Sequence, residues 1–112
     1  MSLTQEKLNI YIAGPMRGFP NLNRESFYNA ESKLNSDGIW ITHNPARWDE
    51  DLNLCVEELQ SKEEFYKALQ RDLNSIFKCD CMFMLRGWER SEGAKLEHAL
   101  AIALNLTIMY QQ

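Results

Sequence analysis

Four short apolar segments recur along the 112-residue chain, and the stretches between them are long enough to form helices. The segments cover residues 8–13, 39–42, 80–85 and 106–110. Each is mostly apolar and has a glycine, proline, asparagine or aspartate at or near an end, which is the pattern of a β-strand. Because two parallel strands need a crossover of about a dozen residues, usually helical, this spacing favours a parallel sheet.

Helical patterns fill the three gaps. The first helix can be capped by Asn21 or Asn23 and ends near Gly38, the second spans residues 61–77, and the third ends near Asn105. Right-handed crossovers then place helices on both faces of the sheet. The sequence predicts a single domain, residues 1–112, with a three-layer α/β/α, Rossmann- or flavodoxin-like fold and a parallel sheet of four to five strands in the order 2-1-3-4.

Residues 43–60 follow neither pattern. Asn44-Pro45 is predicted to break the chain, residues 48–51 to form an acidic loop with one tryptophan, and residues 54–59 to form a short helical turn. Long connections in compact domains are often lids over a site, but a plain surface insertion is an equally good interpretation. The sequence leaves both open.

The overall charge limits the partners that the protein can bind. A net charge of −4 argues against an electrostatic grip on DNA, RNA or an anionic membrane, although a local basic spot can hold one small anion. No apolar run is long enough to cross a bilayer, and residues 1–7 lack the form of a signal peptide. We therefore expect a cytoplasmic protein whose ligand is a small molecule, neither a nucleic acid polymer nor a membrane.

The three cysteines favour a reducing compartment, because their number is odd. Cys79 and Cys81 share one face of a strand, and a metal site could be imagined from them with Cys55, His43 and His98. No pair has the spacing of a zinc ribbon or finger, and buried cysteine is common as a small apolar residue. We expect neither a metal nor a cofactor.

Two carboxylates fall on helix faces that are otherwise apolar. With residues about 100° apart on a helical wheel, Glu97 falls in an arc that contains Gly93, Leu96, Leu100, Ala103 and Leu104. Asp72 falls in the same way among Phe65, Leu69, Leu73 and Ile76. A buried carboxylate is costly unless it is paired, hydrogen-bonded or used in chemistry. The last helix alone therefore leaves structural and catalytic roles for Glu97 about evenly balanced.

The loops after the first and third strands are expected to meet at the carboxyl edge of the sheet, where open α/β sheets bind ligands. The first loop, residues 14–18, carries two glycines and Arg17, which suit an anion. Ser91 begins the last helix, where serine is most often an N-cap but can also share its hydroxyl with a phosphate. The P-loop, dinucleotide and serine-hydrolase motifs do not fit. An anion cradle beside two carboxylates suits glycosyl chemistry.

Three motifs resemble those of the nucleoside 2-deoxyribosyltransferase superfamily, over most of the chain. Residues 11–15 are similar to its first strand and loop, residues 72–80 to its central helix and third strand, and residues 91–97 to the motif that ends in its nucleophilic glutamate. The resemblance implies the same α/β fold and a homodimer or larger assembly. Larger relatives lend C-terminal residues to a neighbouring site, and a chain that ends at Gln112 would need that contribution from elsewhere.

The resemblance also implies catalytic roles. Glu97 matches the glutamate that attacks the anomeric carbon, and Asp72 matches the aspartate that orients the deoxyribose or assists the leaving base. Tyr11 matches a tyrosine near the nucleophile, and Gly14 matches a glycine whose backbone faces the ligand.

Two positions are more similar to the related 2′-deoxynucleoside 5′-monophosphate N-glycosidases. Transferases usually have an aspartate six residues before the nucleophile; here that position is Ser91, which accepts a 5′-phosphate that an aspartate would repel. Arg17 matches an arginine that the hydrolases keep close to the phosphate. The resemblance thus implies cleavage of the N-glycosidic bond of a 2′-deoxynucleoside 5′-monophosphate or a deoxynucleoside. The alternatives are a non-catalytic nucleotide-binding module and a structural protein in which both buried acids have hydrogen-bonding or ion-pair partners and no role in chemistry.

The same match implies further contacts with the substrate. Pro15, Met16 and Gly93 are expected to line the site. Trp88 and Trp48 could stack on a nucleobase, although aromatic residues in loops more often pack against the domain. The pattern also resembles a family of small bacterial and phage proteins of undetermined function within the superfamily, which shares the runs at residues 13–16, 44–45 and 87–94.

Overall fold

The computed structural model describes residues 6–51 and 61–112. The strands in these ranges are β1 (Leu8–Ala13), β2 (Trp40–His43), β3 (Cys81–Met84) and β4 (Thr107–Tyr110). The α-helices are α1 (Arg24–Ser36), α2 (Pro45–Asp51), α3 (Lys62–Ile76) and α4 (Glu92–Ala103), and short 3-10 turns cover Pro20–Asn23 and Trp88–Arg90. No helix within these ranges is long and apolar enough to cross a membrane.

The strands form one parallel sheet in the order β2-β1-β3-β4. Strand β1 is central, with Tyr11 opposite His43 of β2 and Met82 of β3. The predicted parallel sheet and its strand order are confirmed. Strand β1 covers the predicted residues. Strands β2 and β3 differ from prediction by one residue at each end, and β4 begins one residue later than predicted.

Side chains on opposite faces of β1 belong to two separate cores. Ile10 and Ile12 pack against the apolar face of α1, whereas Tyr11 and Ala13 pack with residues of α3 and α4. Successive residues of a strand point to opposite faces, so this division places helices on both sides of the sheet. The predicted three-layer α/β architecture is confirmed.

The segment after β2 differs from its prediction. Residues 48–51 do not form an acidic loop, because they belong to α2, which begins at Pro45. The side-chain Oδ1 of Asn44 accepts a hydrogen bond of 3.0 Å from the N–H of Ala46, and proline is favoured at the first helical position. Asn44-Pro45 therefore starts a helix rather than breaking the chain. The turn predicted at residues 54–59 lies outside the described residues.

The turn before α1 is also different from the predicted cap. Asn21, Leu22 and Asn23 have positive φ angles of 50°, 55° and 61°. Asn23 immediately precedes α1 but makes no side-chain cap; its Nδ2 donates a hydrogen bond of 2.9 Å to the carbonyl oxygen of Pro15. The predicted capping by Asn21 or Asn23 is wrong, because this left-handed turn directs the Asn23 amide to the loop after β1.

Helix α4 presents a different face to the sheet from the one predicted. Its buried residues are Ala94, Glu97 and Ala101, whereas Leu96 and Ala103, both predicted to be buried, are exposed. The prediction followed the large apolar side chains, but small alanine side chains let a helix lie close to a sheet. Glu97 is therefore at the centre of the buried face, one turn from an alanine on either side.

The packing of Gly14 provides a test of the fold. A Cβ atom on Gly14 would lie 2.7 Å from the Cβ of Leu85, which is itself fully buried. We expect Gly14→Ala to lower the free energy of unfolding in urea by about 1–3 kcal/mol, because the side chain would displace the loop after β1. Gly93→Ala is the matched control, since its Cβ would lie an ordinary 3.7 Å from Phe65. Equal stability of the two variants would contradict this close packing.

Candidate functional site

A cavity of about 390 Å³ opens at the carboxyl edge of β1 and β3. Its walls come from the loop after β1, from one face of α3 and from the first turns of α4. The residues proposed from the sequence that line it are Gly14, Met16, Arg17, Asp72, Ser91, Gly93 and Glu97. The fold thus brings to one cavity side chains that are far apart in the chain.

Glu97 lines the cavity and is held by Tyr11. The Tyr11 hydroxyl donates a hydrogen bond of 2.6 Å to Oε2 of Glu97, and both side chains are buried. Burial, followed by the charges of Asp72 and Glu97, raises the pKa of Tyr11 well above its usual value. The hydroxyl therefore keeps its proton and fixes one oxygen of the carboxylate, while Oε1 stays outside this bond.

Asp72 is the second acid of the cavity, and it is paired with the residue that precedes it. Nε and Nη2 of Arg71 both donate to Oδ1 of Asp72, at 2.9 and 2.7 Å. Adjacent residues on an α-helix point about 100° apart, so Arg71 must fold back along α3 to make this pair. Because Asp72 is only 7% exposed, the arginine compensates a carboxylate that has lost most of its hydration.

The environment of Glu97 favours its protonated form. Burial, and after it the negative charge of Asp72, raises the pKa of Glu97 well above 4.5. The hydrogen bond from Tyr11 and the charge of Arg71 act in the opposite direction. The cavity therefore contains one acid paired with an arginine and a second acid that holds its proton to higher pH. Two carboxyl groups in such different surroundings can divide acid and base roles.

The other polar part of the cavity carries positive charge and a helix N-terminus. Arg17 and Arg90 both line it, and the Arg17 guanidinium lies 4.5 Å from the ring centre of Phe65. Ser91 caps α4 by accepting a hydrogen bond of 3.2 Å from the N–H of Ala94. The first N–H groups of a helix have no partner within the helix and favour anions. The sequence pattern does not single out Arg90, because it lies in a short 3-10 turn of irregular direction.

The remaining wall is apolar. It is formed by side chains of the loop after β1 and of α3: Met16, Leu22, Phe65, Ala68 and Leu69. Leu22 is held there by the left-handed turn described above, a conformation that costs about 1 kcal/mol or more for a residue with a side chain. Residues with such backbone strain cluster at active sites, ligand-binding sites and switch regions.

Four residues proposed from the sequence lie outside the cavity lining. Tyr11 is behind Glu97, and Pro15 is buried in the loop, where its carbonyl accepts from Asn23. Trp88 stacks on His98 with ring centres 4.2 Å apart. Trp48 packs against the core that contains Tyr11. Neither tryptophan lines this cavity, so the stacking of either on a nucleobase stays a prediction.

A histidine and a serine also meet, although the sequence does not connect them. Nδ1 of His43 lies 3.1 Å from the Ser75 hydroxyl, and Nε2 lies 2.9 Å from Oδ1 of Asn9. Burial, and then the charge of Lys78, lowers the pKa of His43, so the neutral ring accepts from Ser75 and donates to Asn9. No sequence motif could have found this cluster, since 32 positions separate His43 from Ser75. We assign it to holding β1, β2 and α3 together.

Cys79 and Cys81 lie at the amino end of β3, whereas the cavity lies at the carboxyl end. Both thiols are free and buried. Burial raises the pKa of the Cys79 thiol to about 12, so this residue acts as a small apolar group. Cys55 lies outside the described residues.

The fold and the cavity place the protein among open α/β domains whose ligand crevice is at the carboxyl edge of a parallel sheet. The chain belongs to the family described as Domain of unknown function (DUF4406), whose model matches residues 8–110 and so includes both acids. Comparison with curated proteins finds no match. An activity must therefore be argued from the site itself.

The raised pKa of Glu97 has a measurable effect on stability. A folded-state pKa above the unfolded value gives stability that is full at low pH and is lost as the pH rises through the folded pKa. We expect Glu97→Gln to be as stable as wild type near pH 4 and more stable at neutral pH, by about 1.4 kcal/mol for each unit of pKa elevation. Glutamine still offers an oxygen to Tyr11.

Urea denaturation of both proteins between pH 4 and 8 measures this difference. Glu92→Gln, on the exposed side of the same helix, is the control and should change stability by less than about 0.5 kcal/mol throughout. A constant difference between wild type and Glu97→Gln across the pH range would refute the elevated pKa.

Proposed function

We propose that the protein is an N-glycosidase that cleaves the sugar–base bond of a 2′-deoxynucleoside 5′-monophosphate. A deoxynucleoside substrate, or transfer of the sugar to a second base, would use the same chemistry. The observation that supports this proposal is that Glu97 and Asp72 line the same cavity as Arg17, Ser91 and the start of α4. This is the arrangement implied by the resemblance to the nucleoside 2-deoxyribosyltransferase superfamily.

The proposed phosphate position is beside Arg17 and Arg90. An arginine can donate two parallel hydrogen bonds to a phosphate, and the helix N-terminus adds backbone N–H groups and the Ser91 hydroxyl. Glu92 also lines the cavity, but its carboxylate is paired with Lys95 at 2.9 Å. A small anion can therefore bind here although the whole chain carries a net charge of −4.

In the proposed reaction, Oε1 of ionised Glu97 attacks the anomeric carbon while the bond from that carbon to the base nitrogen breaks. The electron pair of the broken bond leaves with the base, which takes a proton from water or through Asp72. Water then cleaves the ester between Glu97 and the sugar; its oxygen goes to the sugar, its proton to solvent, and the carboxylate is regenerated. Tyr11 and Arg71 favour the ionised nucleophile, and Asp72 orients the sugar.

A nucleotide-binding module without catalysis is the second candidate. The observation that favours it is the raised pKa of Glu97, because a protonated carboxyl cannot attack the anomeric carbon. This candidate predicts that a nucleotide raises the melting temperature while the nucleotide itself stays intact.

Incubation of the purified protein with a panel of deoxynucleoside 5′-monophosphates and deoxynucleosides tests the proposal, with free base followed by chromatography. We expect wild type to release base, with a rate that rises with pH through the pKa of Glu97, above 4.5. Glu97→Ala should lose at least about 10³-fold in rate, because the nucleophile is gone. Glu89→Ala, an exposed acid of the preceding turn, is the control and should retain activity. If no compound releases base but a nucleotide raises the melting temperature, the enzyme proposal is refuted and the nucleotide-binding module is supported.

Ser91→Asp tests the phosphate position. Aspartate caps a helix as well as serine does, so the fold should be preserved, but its charge would repel a phosphate. We expect kcat/KM for the 5′-monophosphate to fall by about 10²-fold, while the value for the matching deoxynucleoside changes by less than about 3-fold. An equal loss of kcat/KM for both substrates would contradict the proposed phosphate position.

A further inference from the structure

Trp48 lies behind the two acids, away from the cavity lining. Its ring centre is 6.4 Å from that of Tyr11 and 5.4 Å from Cζ of Arg71. Tyr11 is the donor to Glu97, and Arg71 is the donor to Asp72. One aromatic ring of α2 therefore lies beside both side chains that hold the two carboxylates.

We infer that Trp48 and Arg71 are positioning residues. The indole of Trp48 keeps Arg71 folded onto Asp72 and supports the ring of Tyr11, so that the two carboxylates keep a fixed position relative to each other. As a statement about catalysis, the inference rests on the proposed function. The charge arrangement that it describes can be measured without turnover.

The geometry of Arg71 requires such a support. Its side chain is 26% exposed and is long enough to extend into water, yet Nε and Nη2 both reach back to the neighbouring residue. A cation over the face of an indole is attracted by the ring, and the flat guanidinium packs well on it. Trp48 therefore opposes the extended conformation in which Asp72 would lose its ion pair with Arg71.

The charge of Arg71 matters because Asp72 and Glu97 repel each other. Nε and Nη2 of Arg71 both donate to Oδ1 of Asp72, so Oδ2 lies outside this fork. When both carboxylates are ionised, Arg71, Asp72 and Glu97 together carry a net charge of −1, whereas the two carboxylates alone would carry −2. The titratable and charged groups around Glu97 come from β1, α3 and the cavity wall: Tyr11, Arg71, Asp72, Arg17, Arg90 and Glu92.

The chain contains a second pair that is built in the same way. Arg47 forms an ion pair with the buried Glu31, and its guanidinium lies 4.8 Å from the ring centre of Tyr28. This pair joins α1 and α2 on the other core. Arg47→Met removes the same two kinds of interaction as Arg71→Met, so it is the matched control for general loss of packing.

Carboxyl groups labelled with ¹³C report the titration of Glu97 and Asp72 directly by NMR. In Arg71→Met we expect the midpoint of Glu97 to move upward by about one pH unit or more, because a nearby cation is lost. Arg71→Lys keeps the charge, so the Glu97 midpoint should rise by no more than half as much as in Arg71→Met. This variant also provides the comparison if the methionine variant folds poorly. An unchanged midpoint in Arg71→Met, or an equal change in Arg47→Met, overturns the inference.

Trp48→Leu tests the indole, with Trp40→Leu as the control because Trp40 is partly buried against the other core. We expect the Glu97 midpoint to rise in Trp48→Leu only, and kcat for base release to fall by about 10-fold or more with KM within about 2-fold. Equal effects of the two substitutions would make Trp48 an ordinary packing residue. If wild type releases no base, the proposed function fails, while the NMR midpoints still decide the inference.

Discussion

Two carboxylates that share a part-apolar cavity repel each other, and much of the local structure offsets that repulsion. Glu97 and Asp72 come from different helices, so both helices must pack on the same face of the sheet. That face is the one to which Tyr11 points from the central strand, where its hydroxyl reaches Glu97. The parallel sheet therefore does more than support the cavity, because it supplies the donor that holds one of the two acids.

The described part of the site has a floor, an apolar wall and a positively charged side. The two acids lie at the floor, and apolar side chains of α3 and of the loop after β1 form the wall. Arg17 and Arg90 lie on the charged side with the start of α4. The proposed substrate would place its anionic end beside the arginines and its reactive centre beside the acids. The same order gives a chain with a net charge of −4 a local cluster of positive charge.

Most of the fold followed from local sequence patterns, because strand length, crossover length and handedness leave few alternatives. The start of α2 did not, since Asn44-Pro45 has the composition of a chain break and also that of a capped helix start. The buried face of α4 was misjudged because leucines were given more weight than alanines, although Ala94 and Ala101 are the residues that face the sheet.

The two acids could be proposed from the sequence because a charge on an apolar helix face is visible without coordinates. Arg17 and Ser91 could be proposed because they follow a predicted strand and begin a predicted helix. The supporting residues could not. Arg71 is a surface position on the helical wheel until its side chain folds back, and Arg90 depends on the direction of an irregular turn. Trp88 and Trp48 look alike in the sequence, because each is a tryptophan in a segment predicted to be a loop. Only their packing shows that Trp88 stacks on His98 and that Trp48 lies behind the acids.

The two-sided packing of β1 has a consequence for how related chains diverge. Ile10 and Ile12 face a core that contacts none of the acids, so any aliphatic side chain of similar volume suits them. Tyr11, between them, must keep a hydroxyl at a fixed height above the sheet. Amino-acid replacements should therefore accumulate along this strand with a period of two, fast on the α1 side and slow on the side of the acids.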